Sequence, residues 1–430
     1  MENKAAEAVR AFYFIAVAVL MYYFLTEVID FGLFITYRHV FALVIAVSGI
    51  VSFLYKPDIA RGAAAAESVF VYCLPMLVTI VTSLFIWFVR QVDVAVISRG
   101  LSGTFVYSNM LSFTLAAAAF LYMFGEKGIW YNLTAILIAN ILMIITIMAQ
   151  YGVGNYFSEL ATLIRTFAEE TGEIIVKAEV HELAFCIGAY LIYMILKPKK
   201  GIPYLILFIL AVFCFLSAFK RIAMLAIVIS LFFGGILKLI ALYKQKAAQK
   251  AAEFFCIITI LMLIGYIALI NMDAFEILER MGIDTSGRVG IYNAVDKYYT
   301  FSPEFLGNGI GFLTYQLNTN THLGVAAVHN DFLQYFIDLG FWGYIIWLIS
   351  MTYIRVLYFG KNGKTENSIV AFSLIVYLIV VSMTDNTMNY PLVTLVIAIL
   401  MMGHGFDEKV RDTEMKIFGY VSEKNRTVSD

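Results

Sequence analysis

Residues 328–359 read VHNDFLQYFIDLGFWGYIIWLISMTYIRVLYF. A short polar threshold, His329-Asn330-Asp331, opens onto an apolar run of the length that carries an α-helix across about 30 Å of hydrocarbon. The segment reads as a transmembrane helix capped by Asn330 or Asp331, with His329 at its mouth. Before it, residues 272–331 are mixed and polar, and in so apolar a chain that is where chemistry is expected to live.

The rest of the chain repeats the pattern. It is 61% hydrophobic and only 14% charged, so the expected fold class is all-α: a polytopic transmembrane helical bundle, one integral membrane domain over residues 1–430. About twelve spans are expected, at residues 11–29, 38–55, 68–89, 104–124, 129–150, 181–196, 202–219, 222–242, 254–271, 332–358, 367–383 and 391–406. The first has no small-residue cleavage site ahead of it and is expected to be retained. Cys73, Cys186, Cys214 and Cys256 all sit in apolar stretches, which indicates neither a disulfide framework nor a cysteine-ligated metal. The formal net charge of −1 says little about partners; membrane lipids are expected, nucleic acid is not.

Orientation follows from the distribution of Lys and Arg. An even number of spans puts both ends on one side, and the lysine-rich connections at Lys197–Lys200 and Lys244–Lys250 make that side cytoplasmic. The 407–430 tail is then cytoplasmic. The two longest hydrophilic connections, 151–180 and 272–331, are extracytoplasmic, the second a large, partly helical loop before the tenth span. In the first, Phe157, Leu160, Ile164 and Phe167 recur at helical spacing against Glu159, Thr162, Arg165 and Glu169, with Gly172 as C-cap. That pattern is an amphipathic helix at the membrane surface, either an interfacial anchor or a wall of a substrate cleft. In the second, Ser286-Gly287 open a helix through Thr300, Ser302-Pro303 stops it, and Arg288 projects from its first turn. Gly307, Gly309 and Gly311 then alternate as a tight turn or a close backbone approach requires. They form no dinucleotide fingerprint, because no strand precedes them and no acidic residue follows at the right distance.

Taken in order, Ser286-Gly-Arg288, the aromatic-rich helix, the turn from Pro303 to Gly311, and His329-Asn330 with Leu333, Asp338, Gly340 and Gly343 resemble the O-antigen ligase and polymerase superfamily. The resemblance covers residues 286–343 and agrees with a large outer loop before the tenth span. Two departures stand out: Asp338 occupies an acidic position often filled by Glu, and Lys220-Arg221 after Ser217 only loosely echoes a Ser-Arg pair at the start of the family's eighth span. The resemblance implies a bacterial enzyme of the cytoplasmic membrane that joins undecaprenyl-diphosphate-linked oligosaccharides to a glycan acceptor, with a chain-length regulator as a further partner.

Such a transfer needs a base for the acceptor hydroxyl, and histidine suits it. Among His39, His181, His322, His329 and His404, His329 alone joins a polar cluster at the mouth of a span. The departing diphosphate needs fixed cations, for which arginine has the matching planar fork. Arg288 and Arg221 are the candidates, with Lys220 beside the latter; for Arg221 the alternative is simple snorkelling to the interface. Arg38, Arg90 and Arg99 are outer-face cations that add to the same site or contact headgroups. Asn330, Asp331 and Tyr292 are expected to contact substrate. Asp338, on the same helix face as Asp331, is expected to pair with an arginine or polar backbone and to support the histidine end of the site. Tyr298, Tyr299, Tyr315 and Phe312 offer rings for sugar stacking or for packing, and Glu179, His181 and Glu182 are expected to be solvated. No Asp-x-Asp pair lies in an outer loop and no His/Cys cluster has ligand spacing, so transfer without metal or cofactor is favoured. The alternatives are a ligase in place of a polymerase, and, from a different class, a secondary transporter or lipid-linked glycan flippase, for which no similarity between residues 1–200 and 201–406 is evident.

Overall fold

The computed structural model describes residues 4–24, 36–92, 111–166, 181–282, 287–319, 327–360 and 365–427, together with Ile97 and Ile174; among them there are helices and no strand. Lys127–Tyr151, Arg221–Tyr243, Gln245–Asn271 and Asp331–Gly360 are each long and apolar enough to cross a membrane. Ile59–Tyr72 with Leu74–Arg90, bent by 49°, and Pro391–Gly403 with Phe406–Ile417, bent by 54°, make six if each bent pair is one span. Only 22% and 28% of the apolar windows of Arg221–Tyr243 and Gln245–Asn271 are buried. Leu225, Phe232, Leu261 and Met262 stand exposed on them, a surface that hydrocarbon solvates and water does not. The chain is a helical protein of membrane type.

The fold divides into two compact units. In the one formed by Met1–Val69, Ser112–Gly234 and Tyr390–Asp430, Lys4–Phe24 packs along Lys127–Tyr151, and His181–Leu196 packs against both Ile202–Ala218 and Pro391–Gly403. Tyr22 donates to Asn132 Oδ1 at 2.6 Å and Asn132 Nδ2 donates to Tyr190 at 2.9 Å, so the buried amide is satisfied within the bundle. The expected amphipathic segment is a helix from Val153 to Thr166; Phe167 and Gly172 lie outside the described residues. Its packed face is Tyr156, Leu160 and Leu163, set on Met143, Ile144, Ile147 and Phe219, whereas Phe157 and Ile164 are exposed. The single stripe expected from spacing is thus split, because positions 157 and 164 lie roughly 100° further round the helix than 156 and 163. The tail is a helix, Phe406–Thr427, tethered at its first turns: buried Lys409 donates to the Ala64 carbonyl (3.1 Å) and the Ser68 hydroxyl (2.9 Å) and pairs with Glu67 at 3.4 Å.

The other unit, Phe70–Leu111 with Gly235–Asn389, packs Asp331–Ile349 on Leu74–Arg90 and on Gln245–Asn271, and the last of these on Thr365–Ser382. The Asp331–Ile349 helix is interrupted at Gly340 (φ 72°, ψ −177°). A break in a buried helix strips amides and carbonyls of their partners, and the polar loop replaces them. Asn308 N–H donates to the Ile337 and Asp338 carbonyls (3.2 and 3.1 Å), Gly309 N–H to the Asp338 carbonyl (2.7 Å), and Phe341 N–H to the Phe305 carbonyl (2.9 Å). The alternating glycines serve this close approach, since a Cβ on Gly307 would collide with the backbone of Asp338 to Gly340 and one on Gly309 with the Trp87 indole. Leu74–Arg90 holds the loop from its other side: Ser83 Oγ accepts from Ile310 N–H (2.9 Å) and Arg90 Nη1 donates to Asn308 Oδ1 (2.8 Å).

The helix expected from Ser286 to Thr300 runs only from Arg288 to Val295, followed by a 3₁₀ turn, Asp296–Tyr298; Ser286 lies outside the described residues. It stops before Pro303 because Tyr299 turns to extended backbone and buries its ring against Phe336. Ala274–Arg280 and Phe312–Thr319 add two short helices that periodicity did not single out. Gly340→Ala should disrupt the docking of the loop, because its Cβ would meet the Leu306 carbonyl and Gly307 amide and its φ is left-handed. We expect a loss of roughly 3 kcal/mol or more in thermal or denaturant unfolding. Gly265→Ala, with nothing within 4 Å of the added carbon, should be tolerated.

Candidate functional site

The second unit also gathers the polar residues singled out at the mouth of the 331–360 span. The helix starts at Asp331 because Asn330, in extended backbone, accepts the Leu333 N–H on its side-chain oxygen at 3.1 Å. The same amide donates to two phenols, Tyr266 (2.9 Å) and Tyr292 (3.0 Å), which lie 3.4 Å apart, and Tyr266 in turn reaches the Met383 carbonyl (3.3 Å). Asn330 is fully buried and Tyr292 nearly so. Their polar groups, for which substrate contact was expected, are engaged with one another and form a scaffold beneath His329.

What this scaffold holds is His329. Its backbone lies in the left-handed region (φ 50°), fixed between buried Val328 and the Asn330 cap. A non-glycine residue keeps that conformation only when its surroundings over-determine it. The consequence is an imidazole about half exposed (54%), with Nδ1 4.0 Å from Asp385 Oδ1 on a carboxylate that is itself 10% exposed. At that separation the carboxylate acts through its field more than through a formed hydrogen bond. Nδ1 is the ring nitrogen that faces this carboxylate.

Three of the expected residues meet on the turn that joins the last two apolar helices. Arg288 Nη2 donates to the Thr384 carbonyl at 2.9 Å, His329 faces Asp385, and Asp331 Oδ2 accepts the Met388 N–H at 2.8 Å. The turn is braced internally by a Ser382–Thr387 hydroxyl pair at 3.0 Å and by Asp385 Oδ1 accepting its neighbour's N–H, that of Asn386, at 2.8 Å. Asp331, fully buried, is a bracket for this turn and not an exposed ligand. Neither Asp385 nor Tyr266 was singled out from the sequence. A signal for the first was present, a polar Thr384-Asp385-Asn386-Thr387 run between two apolar spans on the side expected to be extracytoplasmic. Tyr266 lies inside an apolar span and gave none.

Asp338 is held by backbone, not by an arginine: its carboxylate accepts the Gly311 and Leu313 N–H groups at 3.1 and 3.2 Å, and it is 1% exposed. It anchors the glycine loop, and no described bond links it to the histidine. Arg90, bonded to Asn308, is likewise committed to that loop. The aromatic residues are mainly packing: Tyr299 sits edge-on to Phe336, Tyr298 edge-on to Phe312 with Lys297 5.0 Å over its ring, and Tyr292 against Phe275. Burial, with Asp296 and Asp273 adding to it, pushes the Tyr299 phenol above the usual tyrosine range, so that ring stays neutral.

Lys220 and Arg221 belong to the other compact unit. They follow Phe219, whose backbone is left-handed (φ 42°) and whose ring is buried in the cluster under the Val153–Thr166 helix; Lys220 Nζ lies 5.8 Å over the Phe185 ring. Their clustering with His329, expected from the sequence, therefore does not arise within one unit. His322 and Arg99, and the side chains of His39, His181 and Arg38, lie outside the described residues. Among the described residues no three His, Cys, Asp or Glu side chains converge as metal ligands, and the four cysteines are buried and form no disulfide.

No protein-family model matches the chain, and no curated protein matches it. The site is therefore read from its own chemistry: a half-exposed imidazole on left-handed backbone, a carboxylate facing it, and a guanidinium tied to the same turn. Asn330→Leu removes the helix cap and leaves the Tyr266 and Tyr292 hydroxyls short of a partner. It should cost roughly 2–4 kcal/mol in unfolding experiments, against about 1–2 kcal/mol for Tyr292→Phe, which removes the hydroxyl that bonds Asn330 and Tyr266.

Proposed function

We propose that this chain is a membrane glycosyltransferase that polymerises undecaprenyl-diphosphate-linked oligosaccharide repeats into a surface polysaccharide. The reaction takes place on the outer face of the bacterial cytoplasmic membrane, with about twelve spans and both termini cytoplasmic. The observation that carries the reading is the half-exposed His329 on strained backbone, faced at Nδ1 by Asp385 while Arg288 is fixed to the adjoining Thr384 carbonyl. The ordered motif from Ser286 to Gly343, which resembles the O-antigen ligase and polymerase superfamily, supports the same reading.

In the proposed step the acceptor hydroxyl oxygen attacks the anomeric carbon of the donor glycan. Its proton passes to Nε2 of His329, the bond from that carbon to the diphosphate breaks, and undecaprenyl diphosphate leaves. Asp385 stabilises the positive charge that the imidazole gains, and cationic side chains, Arg288 first among them with Arg221 and Lys220 as further candidates, balance the charge of the departing diphosphate. A positioned base is worth about 100-fold or more, which places the main burden on this one side chain.

Transfer to another acceptor, such as a lipid A-core sugar, uses the same groups and differs only in what docks opposite the donor. The broken helices at Cys73 and Gly340 are also found in transporters. Against transport, no similarity between residues 1–200 and 201–406 is evident in the sequence.

In membranes that carry the lipid-linked repeat, His329→Ala should abolish chain growth, by about 100-fold or more, while the protein still inserts; wild-type polymer lengths on a gel would take the histidine out of the mechanism. Arg288→Ala should slow donor consumption more than Arg288→Lys does, because an ammonium keeps the charge but loses the fork. Equal rates for all three forms would count against a diphosphate contact.

A further inference from the structure

Arg355 lies near the far end of the Asp331–Gly360 span from the site, 5% exposed, and no carboxylate among the described residues pairs with it. A buried guanidinium without a counter-ion needs a strong acceptor. Arg355 has one, the backbone carbonyl of Tyr72, which receives Nε at 3.1 Å and also Nη2, while the guanidinium stands 4.0 Å over the Tyr72 ring.

The local sequence explains why that carbonyl is available. Tyr72 ends the Ile59–Tyr72 helix, and the chain resumes as Leu74–Arg90 after a 49° bend. Pro75 has no N–H to give, and the Met76 N–H turns to the Cys73 carbonyl at 2.9 Å. The amide that would reach Tyr72 in a continuous helix is thus diverted, and in an apolar setting a bare carbonyl must find another donor. The turn just before Arg355, Ser350–Ile354, is π-helical. One added residue rotates the remainder of the helix by roughly 100°, which sets Arg355 on the face toward Tyr72.

The bend matters because of what the Leu74–Arg90 helix carries. Ser83 and Arg90 bond the glycine loop, the Trp87 indole packs against Gly309, and Thr82 packs against Gly343 of the broken helix. We propose that Arg355 is a positioning residue: by capping the carbonyl freed at the Cys73 break, it holds the Leu74–Arg90 helix in the direction that seats the glycine loop against the Gly340 break. Its bearing on glycan transfer rests on the proposed function; its hold on the break does not.

Cys73 sits at the break, buried, and reports on it directly. Full-length protein in membranes is treated with N-ethylmaleimide, and modification is followed peptide by peptide by mass spectrometry. Cys256, buried in Gln245–Asn271 of the same unit, is the control. Arg355→Met should speed labelling of Cys73 by about tenfold or more and leave Cys256 within about twofold, as a local opening does. Arg355→Lys should fall between, since an ammonium still donates to the carbonyl, and chain growth should follow the same order. Unchanged Cys73 labelling in Arg355→Met, or an equal rise at Cys256 in both variants, would overturn the proposal. So would an opened Cys73 with undiminished chain growth, which would leave Arg355 without influence on the site. If the wild-type chain lengthens no glycan, the transfer reading fails, and the two labelling rates still decide the role of Arg355 at the break.

Discussion

A buried backbone must have its amides and carbonyls paired, and the arrangement of the second unit is a response to that constraint at Gly340. Left-handed backbone there ends one helical segment and starts another, leaving the Ile337 and Asp338 carbonyls and the Phe341 N–H without helical partners. The loop from Phe305 to Leu313 supplies what is missing, atom by atom, and Asp338 returns two bonds to the loop through its carboxylate. Neither the loop nor the broken helix is satisfied alone. This mutual dependence is why three alternating glycines and one buried acid occur together.

The same logic governs the mouth of the span. Asn330 caps the helix and ties two phenols, and so fixes the residue before it in a conformation that would otherwise relax. The imidazole of His329 is half exposed, and the turn from Ser382 to Met388 collects Arg288, His329 and Asp331 on three successive parts of its backbone and side chains. Polar groups are thus divided by role. The buried ones, bonded to one another and to the turn, lie below and hold geometry, while His329 stays half exposed above them.

Much of this was legible in the residues themselves. Apolar periodicity and composition led to helices of membrane type; the Asn330 cap, the glycine approach and the singling out of His329 and Arg288 all came from local chemistry. Less legible was the use to which side chains are put. Asn330, Asp331 and Tyr292 read as polar groups at a threshold and therefore as substrate contacts, while their burial and their bonds to one another and to the 382–388 turn had no signal in the sequence. Asp338 read as support for the histidine because it shares a helix face with Asp331, but the Gly340 break opens an alternative partner in the loop. Phe157 and Ile164 read as one stripe with Leu160, and which of two adjacent faces meets the protein was decided by the cluster of Met143, Ile144, Ile147 and Phe219.

By itself, the sequence determined what is set within a few residues or by bulk composition: helices rich enough in apolar side chains for lipid, the places where proline, glycine and asparagine start or stop them, and the polar stretch that interrupts them. Only the tertiary structure decided that Asp385 stands behind His329, that Tyr266 shares the Asn330 amide, and that Arg355 covers the Tyr72 carbonyl. Each of these pairs joins residues far apart along the chain. Hydrogen-bond and charge complementarity at that separation depends on how helices are brought side by side, and periodicity along a single chain carries no record of it.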